Sequence, residues 1–116
     1  MAGESSASCS IRRAGPHSDM DIPGWRRKID EIDQKLVRLL NERARCAVEI
    51  GKIKRQNGLP VRDAGREEEV LRRVVEGNPG PLTPDGIRKV FEEIVEQGRN
   101  LEHSLFEKLD SEAKQR

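Results

Sequence analysis

The sequence predicts an all-α chain of three helices, one long and two shorter, whose long helix is shared with a second copy. Three observations carry this. Residues 24–57 contain no Pro, hold Gly only at Gly24 and Gly51, and are dense in Leu, Ile, Glu, Lys and Arg, which favour helix or core. The run Gly77–Pro81 breaks the chain, and Thr83, Pro84 and Asp85 restart it as a helix. No stretch alternates apolar and polar residues as a strand would, and no internal repeat is present.

The first helix ends at Gly58, Leu59 and Pro60. Asp63 can cap a second helix running to about Glu76. In the third, Thr83 is the N-cap, Pro84 takes the first position and Asp85 puts an acid in the first turn. That helix is expected to reach about Leu109. Residues 1–21, rich in Ser and Gly, read as a disordered tail, residues 22–110 as one helical domain, and residues 111–116 as a frayed end.

The long helix decides the architecture. Thirty-odd residues span roughly 50 Å, whereas a compact domain of this size has a radius of gyration of about 13 Å. On a helical wheel with Ile29 at zero, Ile32, Leu36, Leu39, Leu40, Ala47 and Ile50 fall between about −80° and +20°. Val37, Ala44 and Val48 fall between about +60° and +100°. The apolar surface is about 180° wide, more than one packing partner needs. One half is expected to face its own chain and the other a second copy.

Composition removes several classes of function. The 116 residues include 22 basic and 21 acidic ones, for a net charge of +1. No sequence-wide field therefore attracts nucleic acid. With no Tyr and only Trp25, Phe91 and Phe106 as aromatics, a base-stacking platform is disfavoured. Cys9, Cys46, His17 and His103 form no metal-spaced pattern. Apolar runs are too short for a membrane span, and the N-terminus has no apolar signal core. A cytoplasmic protein is expected, with Cys46 a small core residue and Cys9 in the tail.

The remaining signal is charge where apolar residues belong. Arg43 (about −40°) and Lys54 (about −20°) lie inside the apolar stripe of the first helix. Glu67 shares the face of Val70, Leu71 and Val74, and Arg66 lies four before Val70. Glu102 falls on the stripe of Ile87, Phe91, Ile94, Val95, Gly98, Leu105 and Leu109. Taken singly, Arg43 and Lys54 are most simply snorkelling or bridging charges, Glu67 pairs to one of them or favours its helix N-terminus, and Glu102 is a solvated edge residue. Together they suggest an enclosed cationic pocket for a small anion. No Ser–His or Cys–His arrangement accompanies it, so any catalysis would rest on electrostatics and positioning.

The run RRKIDEIDQKLVRLLNERARCAVEIGKIK, then LPVRDAGREEEVL, then IRKVFEEIVEQGRNLE resembles the all-helical chorismate mutases over about residues 22–109. The most specific part is an ordered set: an Arg opening the first helix, Arg in NER, Lys in GKIK, then PVRD followed by RE. The resemblance implies an intertwined homodimer and a cofactor-free Claisen rearrangement of dianionic chorismate to prephenate, on the way to phenylalanine and tyrosine. It implies that Arg43 grips one carboxylate and Arg26, reaching from the partner chain, the other. Lys54 would bond the ether oxygen and a carboxylate. Glu67, with the backbone at Asp63, would hold the ring hydroxyl, and Arg66 would line the pocket. Asp63 also reads as a plain cap and Arg66 as a solvated charge.

Two positions depart from the best-known bacterial pattern. Glu102 stands where that pattern has a Gln donating to the ether oxygen, so it donates only when protonated. Gly98 stands where the family often has a carboxylate-binding Ser. Two other readings share these residues. One is an isochorismate-pyruvate lyase on the same fold; the other is a non-catalytic helical dimerisation or regulatory module.

Overall fold

The computed structural model describes residues 21–114. Among them it has three helices and no strand: α1 (Ile22–Gln56), α2 (Ala64–Glu76) and α3 (Pro84–Lys114). No helix among the described residues is long and apolar enough to cross a membrane. The chain divides into two units, Met1–Arg38 and Leu39–Arg116.

In the first unit, Asp21 starts α1. Its carboxylate accepts from the Gly24 N–H at 3.0 Å and its carbonyl from the Trp25 N–H at 3.0 Å, which satisfies amides that a helix start leaves open. Asp21 thus belongs to the folded part, one residue earlier than the expected boundary; the rest of the expected tail lies outside the described residues. Ile22, Trp25, Ile29, Ile32 and Leu36 are all exposed.

The second unit begins at Leu39 within α1. The helix closes with Gly58 in the left-handed region at φ 69°. The Leu59 N–H reaches back to the Lys54 carbonyl at 2.8 Å, and the Gly58 N–H to that of Arg55 at 3.2 Å. This pair of bonds is a Schellman closure, in which glycine takes the positive φ without steric penalty.

Asp63 caps α2: its carboxylate accepts from the Arg66 N–H at 3.0 Å. The Thr83 hydroxyl caps α3, accepting from the Gly86 N–H at 2.9 Å. Both caps fall where the sequence places them. The end of α3 does not: the helix runs to Lys114, so 111–114 are helical rather than frayed, and 115–116 lie outside the described residues.

α2 packs on α3, and Arg88 of α3 donates to Glu68 of α2 at 2.9 Å. α1 meets α3 at Gly51, where an added Cβ would lie 2.8 Å from Glu102 Oε2 and 3.0 Å from the Phe106 ring. A glycine here leaves room for those two α3 side chains against α1. Arg55 stacks over the same ring, 4.6 Å from its centroid, and pairs with Asp110. Val48, Leu71 and Phe106 form the buried apolar core, while Leu39, Leu40, Ile50 and Ile53 of α1 remain exposed.

Candidate anion-binding site

A cavity of about 270 Å³ opens between the helices of the second unit. α1 lines it with Arg43, Cys46, Ala47, Ile50 and Lys54, a spacing of three and four that keeps all five on one face. The connection after α1 adds Val61 and Asp63, and α2 adds Arg66, Glu67 and Val70. α3 contributes Val95, Gly98, Arg99 and Glu102.

Arg43, Lys54, Asp63, Arg66, Glu67, Gly98 and Glu102, all expected from the sequence, meet at this one cavity. Arg26 belongs to the first unit and is exposed on α1. Arg99 and Val61 reach the cavity without having been singled out in the sequence, and Cys46, Ala47, Ile50, Val70 and Val95, read there only as core or stripe residues, line it too. Arg99 was detectable, because Val95, Arg99 and Glu102 follow the same four-then-three spacing. Cys46 is exposed toward the cavity rather than a core residue. Helical periodicity names a face but not what covers it.

The Lys54 ammonium donates to the Val61 carbonyl at 3.2 Å. Glu67 pairs with neither Arg43 nor Lys54. Its Oε1 accepts from Arg99 Nη1 at 2.7 Å and lies 3.5 Å from Arg62 Nη2. Arg66 turns its guanidinium to Glu69 at 2.9 Å while its backbone serves the Asp63 cap. Burial pushes the Glu102 carboxyl above the usual carboxylate range, and the Glu67 charge adds to this; the Lys54 ammonium opposes it. His103 faces Glu107 at 3.0 Å on an exposed stretch of α3, and no cavity role attaches to it.

Four cations and three carboxyls thus share the lining. With Glu102 protonated the excess is two positive charges, which suits a compact dianion. Among the described residues no cluster of His, Cys, Asp and Glu could hold a metal ion.

Residues 25–103 match the chorismate mutase type II family. The chain belongs to that family.

Similarity to individual chorismate mutases agrees. The chorismate mutase of Methanocaldococcus jannaschii is 31% identical over 90 residues, covering 77% of this chain and 91% of that protein. A solved chorismate mutase from Thermus thermophilus (form II) superposes with a TM-score of 0.69 at 40% identity, covering 71% of this chain and 93% of that one. The bifunctional chorismate mutase/prephenate dehydratase of Escherichia coli is 37% identical over 91 residues, covering 78% of this chain. The chain spans about a quarter of the length of such bifunctional relatives (24% for the Escherichia coli protein).

Proposed function

We propose that the chain is a chorismate mutase, converting chorismate to prephenate in the synthesis of phenylalanine and tyrosine. The observation that carries the reading is the cavity itself: Arg43, Lys54 and Arg66 surround a space that Glu67 and Glu102 also line. In the rearrangement the ether C–O bond breaks as a C–C bond forms within the same molecule, so no group is transferred to the protein. What the reaction needs is a compact substrate conformer and cationic or donor groups at the ether oxygen, where negative charge grows.

Arg43 grips one carboxylate, its planar fork matching the two oxygens. Lys54 and protonated Glu102 donate to the ether oxygen, and Lys54 also meets a carboxylate. Glu67 and the backbone at Asp63 hold the ring hydroxyl, and Arg66 keeps the α2 end of the cavity cationic. Gly98 offers no side-chain donor. The second carboxylate falls to Arg26 of a second copy in an intertwined homodimer. The exposed Ile22, Trp25, Ile29, Ile32 and Leu36 support that pairing, being more apolar surface than a lone soluble chain leaves uncovered. The reading places the enzyme in the cytoplasm.

The test is prephenate formation by the purified chain, wild type against Arg43→Ala. Removing a charge-assisted, bidentate carboxylate contact is expected to lower kcat/KM by about 100-fold. Wild type that forms no prephenate but releases pyruvate from isochorismate would replace the reading with the lyase one. Turnover of neither would leave a binding module.

A further inference from the structure

Among the described residues, Glu67 is the most enclosed of the ion-paired acids, with its side chain 19% exposed. Two guanidinium groups approach it, and both take the same oxygen. Arg99 Nη1 donates to Oε1 at 2.7 Å, and Arg62 Nη2 lies 3.5 Å from it. The two are not equal. Arg62 is 64% exposed and at the longer distance, so solvent screens most of its effect. Arg99 is 32% exposed, makes the short bond, and lines the cavity itself. Its other acidic neighbour, Glu96, is 3.9 Å away and 56% exposed, a weak competitor.

Glu67 has several rotatable bonds and a carboxylate that either oxygen could present. Locking Oε1 to α3 removes much of that freedom and leaves Oε2 as the acceptor for an incoming hydroxyl. We propose that Arg99 is a positioning residue that acts through Glu67: it holds Oε1 so that Oε2 faces the ring hydroxyl of the substrate. This rests on the mutase reading above. It also assigns α3 a part beyond Glu102, since the residue that aims Glu67 follows the Gly98 that offers no hydroxyl of its own.

The test is a kinetic double-mutant cycle on the full chain with chorismate: wild type, Arg99→Met, Glu67→Gln and the pair, with helical content and melting recorded for each. Arg99→Met is expected to lower kcat/KM by about tenfold, within the range for coupled neighbours. Arg99→Lys is expected to recover part of the loss. Adding Arg99→Met to Glu67→Gln is expected to lower kcat/KM no further. Additive losses, or an Arg99→Met enzyme as efficient as wild type, would overturn the assignment while leaving the mutase reading intact. A wild type that does not turn over chorismate overturns both. Should Arg99→Met lose its helical signal, Arg99→Lys takes its place in the cycle, and additivity there counts against the proposal equally.

Discussion

At the scale of single residues, Glu102 and Gly98 set this site apart from a cavity with amide and hydroxyl donors. Glu102 donates to an ether oxygen only as the neutral acid. Its carboxyl titrates above the ordinary range because burial penalises the anion and Glu67 adds like charge, against the pull of Lys54. The sign follows: the donating form is lost as pH rises through the raised value, so kcat/KM should climb as pH falls from 8 toward 5. Glu102→Gln, a donor at every pH, should flatten that profile. A wild-type rate flat over the same range, or an unchanged profile in the variant, would remove Glu102 from the reaction. At Gly98 an added Cβ meets nothing within 4 Å, so Gly98→Ser should fit without strain. Serine is also the better helix former, by roughly 0.5 kcal/mol. Its hydroxyl on the cavity face should lower KM several-fold with kcat little changed; an unchanged KM would show that the missing donor costs nothing.

At the scale of elements, the seating of Glu102 and Phe106 of α3 against α1 depends on Gly51. Alanine there would favour α1 by about 1 kcal/mol but place its methyl 2.8 Å from Glu102 Oε2 and 3.0 Å from Phe106. The flexible carboxylate can move aside, whereas the packed ring yields less. Gly51→Ala should therefore melt close to wild type yet lose activity at least several-fold, because Glu102 is displaced from its place in the cavity. Full activity in a stable variant would refute this. The starts of α2 and α3 were legible because each is written in one side chain that satisfies an open amide, Asp63 and Thr83; the start of α1 was missed, although Asp21 caps it in the same way. The end of α3 was not, since Leu109 to Lys114 holds no Gly or Pro and offers no physical reason to stop. The cavity residues were legible where a charge sat squarely on an apolar stripe, as for Arg43, Lys54, Glu67 and Glu102. Arg99 escaped because it flanks its stripe, and the partner of Glu67 was misjudged because a wheel of one helix carries no distances to the next.

At the scale of the whole molecule, a core of Val48, Leu71 and Phe106 is small beside the exposed Ile29, Ile32, Leu36, Leu39 and Leu40 of one helix. If a second copy covers these, folding and association are one equilibrium, and stability depends on protomer concentration. Sedimentation should then give twice the chain mass at micromolar concentration. Progressive dilution should lower activity per chain together with helical signal. A monomer of full activity at every concentration would refute the shared-helix arrangement and, with it, the part given to Arg26.

Lys54 carries a last consequence. Its carbonyl takes the Leu59 amide at 2.8 Å, and its ammonium holds the Val61 carbonyl at 3.2 Å, so one residue is both the hinge pin and the latch of the segment leading to Asp63 and Glu67. Replacing it with methionine would remove a charge and unlatch that segment at once, loosening the groups that follow it. The rate lost in such a variant would then measure two faults, and a tryptic cut after the exposed Arg62, quicker than in the parent, would reveal how much belongs to the second.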